Sequence, residues 1–244
     1  GLLTLSLLIV SNLSTQYPGI HHVHLTENLL ADDATIDRDI IPSPSNVEFL
    51  RGVVMLSDIN TWAIATVGPH NFQTKWAGGR ARPEEIVDAI LTGAIDPNYV
   101  PNDIATAIGA MASVGVLTGF APDFTAYPEG SPRHPSWPAM HSAASAGSIW
   151  MPLVMNLSPD QLCEVKAVDY GVAYARTVAG VHFPNDNIAG LNLGQEILAR
   201  KLPGYLAERY GANPAEVRQK LSTLRFDWND YLNDPICFSA NGGM

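Results

Sequence analysis

A chain of 244 residues with 46% hydrophobic and 16% charged side chains has the composition of an ordinary globular protein, able to bury a full core as one domain or two small ones. That composition excludes a largely disordered chain. The formal charge is −10, with 14 Lys and Arg and no basic run, which excludes a surface built to neutralise nucleic-acid phosphates.

The stretch Gly1 to Val10 resembles the core of a signal peptide but lacks a basic leader and is too short to span a bilayer, so a buried strand or helix is expected there. Asn12-Leu13-Ser14 and Asn156-Leu157-Ser158 match the glycosylation acceptor pattern, a triplet that often arises by chance. His21, His22 and His24 have metal-like spacing without cysteine partners, which makes them a weak candidate. Residues 30–48 are rich in Asp, Pro and Ser and read as a long loop. Asp32, Asp33, Asp37 and Asp39 imitate a calcium loop with Glu48 at its end, but Ile41 and Pro42 stand where an oxygen ligand and the turn glycine belong. A solvated loop is the expectation.

Pro83-Glu84-Glu85 is a good first helical turn, with proline at the start and acids near the positive end of the helix. Ile86, Ala89, Ile90 and Ala94 then mark an apolar face. Residues 102–118 and 139–155 read as two further helices, with a second long loop, 119–138, between them. Ser158-Pro159-Asp160 combines a cap with an opening proline, and its helix is expected to stop near Gly180, which leaves His182 in a connection. Another helix starts at Pro184 or Asn185 and runs towards Pro203, and Pro214 to Leu224 forms one more. Little alternates with a period of two, so the fold expected is an all-α helical bundle in a single domain over 1–244. Within it, 1–70 forms an N-terminal helical and loop segment and 71–244 an oxyanion-binding bundle. Cys163 and Cys237 are too few for a disulfide framework; two buried thiols are expected, with one bridge as the alternative in an oxidising compartment.

Three groups of residues carry the chemistry. Lys75 and Arg82 offer a point charge and a planar fork of donors to oxyanion oxygens. Pro138-Ala139-Met140-His141 opens a helix whose first N–H groups are free for an anion, with His141 placed to move protons. Arg176 falls in the last turns of its helix, six residues before His182, and Asp186, four further on, can orient an imidazole or cap the next helix.

Taken together, Lys75-x6-Arg82-Pro83, Pro138-Ala139-Met140-His141 and Arg176-x5-His182-x3-Asp186 resemble the three-part signature of vanadium-dependent haloperoxidases and the type-2 phosphatidic acid phosphatase superfamily. The flanks Lys75-Trp76, Arg80-Ala81-Arg82-Pro83-Glu84, His134-Pro135-Ser136 and Gly180-Val181-His182-Phe183 are similar to those of algal and cyanobacterial bromoperoxidases. The resemblance implies a vanadate cofactor with His182 as the single protein ligand to the metal. It further implies Lys75, Arg82 and Arg176 on the oxygens, with the Met140 backbone N–H beside them, and His141 as the acid–base residue. His134 takes the second histidine position of the bromoperoxidase branch, and Phe72 an aromatic wall. The implied reaction oxidises bromide or iodide with hydrogen peroxide to hypohalous acid, which halogenates a small organic acceptor. A phosphatase with His182 as nucleophile, and a non-catalytic structural subunit, are the alternatives.

The chain differs from the family in having Ala139-Met140 for Ser-Gly and Ala175 for Ser. Each lost hydroxyl removes a bond of roughly 1–3 kcal/mol where its acceptor is left unpaired. Family members are longer chains, so this one corresponds to their catalytic half. That implies a homo-oligomer, or a partner subunit supplying a second helical half, in an extracytoplasmic or secreted setting with no membrane span.

Overall fold

Proline opens four of the helices, because its missing N–H is one that a first turn cannot use and its φ is already helical. The computed structural model describes residues 34–42, 49–113, 125–127 and 130–238, together with Leu25 and Leu29. In chain order the helices are α1 (Phe49–Gly78), α2 (Pro83–Leu91), α3 (Asn102–Ser113), α4 (Met140–Ala144), α5 (Gly147–Val154), α6 (Pro159–Val178), α7 (Pro184–Tyr210) and α8 (Pro214–Leu224). Strand β1 (Thr35–Ile36) pairs antiparallel with β2 (Met155–Asn156), and 3-10 turns cover Pro97–Tyr99 and Trp228–Asn233. The fold is all-α. No helix among the described residues is long and apolar enough to cross a membrane.

Helix starts follow local chemistry. Ser158 accepts from the Gln161 N–H while Gln161 returns a bond to the Ser158 N–H, and Asn213 accepts from the Ala215 N–H ahead of α8. Asp186 accepts from the Phe183 N–H at the start of α7. Gly211, at φ 71°, closes α7 in the left-handed conformation.

Packing centres on α7. Leu56, Ile59, Ala63 and Val67 of α1 meet Ile149, Trp150, Met151, Leu153 and Val154 of α5 and Leu198, Leu202 and Leu206 of α7, with Val217 and Leu221 of α8 closing the cluster. At about 25 cal/mol per Å² of apolar surface, each of these larger side chains contributes roughly 1.5–3 kcal/mol of transfer free energy. Gly190 and Gly194, one turn apart on α7, let α4 approach to backbone contact. A Cβ at Gly190 would lie 2.4 Å from the Ala139 carbonyl oxygen, and one at Gly194 2.0 Å from that of Ala143.

Several expectations are corrected. The helix expected over 139–155 is two, α4 and α5, because the Asp169 carboxylate of α6 accepts from the N–H groups of Gly147 and Ser148 and so creates a second helix start. Pro203 does not end α7. Buried Leu198, Leu202 and Leu206 hold the helix on the core across the missing bond, and it runs on to Tyr210.

The cysteines are not two thiols: Cys163 and Cys237 form a disulfide with Cα atoms 5.3 Å apart. The last turn of the chain is folded against α6 there, and Lys166 Nζ donates to Asp234 Oδ2 at 2.6 Å beside the bridge. The segment 34–41 is not a solvated loop either. Ala34, Ile36, Ile40 and Ile41 are buried, β1 lies on β2, and Asp37 is spent on Lys220 at 2.5 Å. Asn156, one of the two glycosylation candidates, donates to Thr35 Oγ1. Helix α1 runs unbroken across residue 70. Residues 1–24, Asp32, Asp33, Glu48 and 114–124 lie outside the described residues, so the apolar start, Asn12, the three early histidines and the end of the 102–118 helix are not placed.

Candidate oxyanion site

Lys75 sits in the last turn of α1 and Arg82 is the residue that caps α2, so a short connection carries both cations to one place. Gly79, at φ 63°, reverses the chain between them in a conformation that favours glycine. Arg82 is fixed from its own helix, since its N–H donates to Glu85 Oε2 at 2.5 Å. Arg176 lies in the last turn of α6. Gly180, at φ 72°, then turns the chain through His182 into α7.

All three cations are buried, at 0% exposure for Lys75, 2% for Arg82 and 1% for Arg176. Lys75 Nζ donates to the carbonyls of Pro135 and Ser136, both at 2.9 Å. Arg82 Nε donates to the His134 carbonyl at 3.1 Å, its Nη1 to the Val181 carbonyl at 2.7 Å and to His182 Nε2 at 3.2 Å, and its Nη2 to His134 Nδ1 at 3.1 Å. Arg176 Nη1 donates to the Tyr127 hydroxyl, and its buried Nε has no hydrogen-bond partner among the described residues. A lysine has three donors and an arginine five. Lys75 and Arg82 therefore each keep one unassigned N–H, and Arg176 keeps more.

His182 is held at both nitrogens. Its Nδ1 lies 3.3 Å from Asp186 Oδ2, and an ionised carboxylate only accepts, so Nδ1 carries the proton and Nε2 keeps its lone pair towards Arg82. Burial, with Arg82, Lys75 and Arg176 nearby, holds the imidazolium down to about 3, so the ring is neutral. Burial pushes Asp186 up, but hydrogen bonds from His182, Ser136 Oγ and the Phe183 N–H outweigh it and the carboxyl stays below its usual range. Asp186 thus orients the imidazole and caps α7 at once. Burial and the cations Lys75 and Arg82 hold His134 down to about 4, and Phe72 meets its ring edge-on at 5.0 Å. Burial first, then Arg82 and Arg176, lower Lys75 to about 7; burial and Arg176 lower Arg82 to about 10.

Charge does not balance locally. Among the described residues none of the three buried cations makes an ion pair, and the one buried carboxylate beside them, Asp186, is paired at 2.8 Å with a fourth cation, Arg80. Buried charge without a partner is costly, and the lowered Lys75 relieves only part of it.

Lys75, Arg82, His134, Arg176 and His182 are thus brought together. Met140 and His141 occupy the first two positions of α4, both half-buried, and the Ala139 N–H ahead of them donates to the Asp186 carbonyl at 2.9 Å. The Met140 methyl points at α1, where a Cβ on Gly68 would meet it at 3.5 Å. Sequence reasoning quoted Ser136, whose Oγ donates to Asp186 Oδ2, and Arg80 only as motif flanks without a role, and it missed Tyr127. Arg80 carried a signal, being a second cation two residues before Arg82. Tyr127 carried none.

Comparison with family models, with curated proteins and with solved structures finds no match to this chain.

Proposed function

We propose that the chain is a vanadate-dependent haloperoxidase that oxidises bromide or iodide with hydrogen peroxide and halogenates small organic acceptors. The observation that carries this reading is the cluster of Lys75, Arg82 and Arg176, buried without a carboxylate of their own and set around a neutral histidine whose Nε2 lone pair faces them. The orphaned Arg176 Nε and the spare donors of Lys75 and Arg82 fit the oxygens of a tetrahedral oxyanion, and His182 Nε2 fits its central atom. Vanadate, when bound, supplies a Lewis acid that polarises the peroxide without changing oxidation state.

The protein's own part is positioning and proton handling. Asp186 fixes the tautomer of His182, as carboxylates do for metal-bound imidazoles. Lys75, Arg82 and Arg176, all buried, would hold the oxygens of the bound group and stabilise negative charge on them. His134 and His141 are the groups able to take and return a proton from peroxide. His134, beside Arg82, favours the bromoperoxidase reading over hydrolysis of phosphate esters. The Cys163–Cys237 bridge supports an extracytoplasmic setting, where disulfides persist. A partner supplying a second helical half, or a homo-oligomer, belongs to the same proposal.

The test is oxidation of bromide and iodide by the purified protein with hydrogen peroxide, before and after loading with orthovanadate, beside His182→Ala. Turnover that requires vanadate and disappears in the variant is expected. No turnover and no vanadium retained on dialysis would overturn the reading. His182-dependent hydrolysis of a phosphate ester would then mark a phosphatase, and its absence a non-catalytic subunit.

A further inference from the structure

Arg80 stands outside the buried cation cluster, yet it touches the His134 to Pro138 loop and the start of α7. Its Nη1 donates to Asp186 Oδ1 at 2.8 Å, and its guanidinium lies 4.4 Å over the Phe183 ring. Its backbone carbonyl accepts from the Ser136 N–H at 2.8 Å. The α1–α2 connection, the His134 to Pro138 loop and the start of α7 therefore meet at one residue, the loop through its backbone and α7 through its side chain.

The two Asp186 oxygens have different duties. Oδ2 accepts from Ser136 Oγ, the Phe183 N–H and His182 Nδ1, whereas Oδ1 accepts, among the described residues, from Arg80 alone. The terminal torsion is broad and two-fold, and both oxygens turn together about it, so the bonds to Oδ2 already restrain it. The Arg80 bond at Oδ1 adds a hold from the opposite side, against the half-turn that would exchange the two oxygens. Contact with the Phe183 ring restrains the guanidinium in turn, and the side chain remains 42% exposed while Asp186 is wholly buried.

We propose that Arg80 is a positioning residue that holds the Asp186 carboxylate with Oδ2 against His182 Nδ1, keeping the Nε2 lone pair aimed at the cation cluster. The effect on affinity rests on the oxyanion reading above; the positioning itself is measured separately. It is read from the downfield proton resonance of an imidazole N–H bonded to a carboxylate, assigned by its loss in His182→Gln. Orthovanadate affinity is measured by calorimetry on the same samples.

The intact protein is expected to show the resonance. Arg80→Ala loses it and weakens orthovanadate binding about tenfold, the low end of what loss of a partner behind a metal-binding histidine costs. Arg80→Lys, which keeps the charge without the planar stack, restores both in part. Arg80→Gln replaces Arg80→Ala if circular dichroism shows the latter unfolded. Persistence of the resonance in the folded Arg80→Ala or Arg80→Gln protein, or its absence from the intact protein, would overturn the proposal. Failure of the intact protein to bind orthovanadate would instead remove the oxyanion reading, with the resonance comparison still deciding Arg80.

Discussion

Gly194 and Gly204 lie on the same helix, and replacing each by alanine is expected to move stability in opposite directions. At Gly204 nothing lies within 4 Å of the added methyl and the residue is exposed, so only the intrinsic helix preference acts. That favours Ala by about 0.8–1.0 kcal/mol. At Gly194 the methyl would meet the Ala143 carbonyl oxygen at 2.0 Å, where ordinary contact begins at 3.4 Å, so α4 has to recede by about 1.4 Å. Overpacking of this kind costs about 1–3 kcal/mol, and the obstacle is backbone that cannot rotate away. For a chain of this size 1 kcal/mol is about 2–4 °C in Tm. Gly204→Ala should therefore melt about 2–4 °C higher and Gly194→Ala several degrees lower. Because α4 begins with Met140 and His141, a displacement near 1 Å should also lower the proposed haloperoxidase turnover on the order of a hundredfold. Thermal unfolding followed by circular dichroism, with activity on the same samples, measures both. Equal melting temperatures for the two variants would refute the packing argument, and full activity in Gly194→Ala would refute the link from α7 to the site.

The proposed oxyanion binding should be proton-linked through Lys75. Its ammonium is lowered to about 7 in the free protein, and a bound anion favours the charged form, so binding takes up a proton above pH 7 and affinity declines as pH rises through 7. Calorimetry with orthovanadate in buffers of different ionisation heat reads that uptake directly, and no buffer dependence at pH 8 would refute it. Reduction of the Cys163–Cys237 bridge, which closes a loop of 74 residues, should cost about 4 kcal/mol by chain entropy. Coincident urea curves with and without reductant would contradict that.

Much of the helical order is legible because it is encoded locally. Pro83, Pro159, Pro184 and Pro214 with their caps mark starts that the chain announces to itself. What escaped depends on distant groups. The break between α4 and α5 is made by Asp169, twenty-two residues from the Gly147 N–H that it caps. The persistence of α7 through Pro203 comes from buried leucines, and the disulfide from the return of the last turn onto α6. The same division holds at the site. Lys75, Arg82, Arg176, His182 and Asp186 stand out by spacing and type, whereas the carbonyls that engage Lys75 and Arg82 have no side-chain signature and could not be read.

Those carbonyls, from His134, Pro135 and Ser136, make the loop an internal competitor for the cations. At those bonds an incoming anion would gain only the difference between its own acceptor strength and that of a neutral amide oxygen, whereas the spare N–H groups of Lys75, Arg82 and Arg176 are open to it. Charge-assisted bonds are roughly twice as strong as neutral ones, so a multiply charged oxyanion with several oxygens would displace the loop. A diffuse, weakly accepting anion such as perchlorate would not. Selectivity in the proposed site would thus arise from a threshold set by the protein's own backbone, and lengthening the loop so that its carbonyls withdraw should make the site bind more kinds of anion and discriminate among them less.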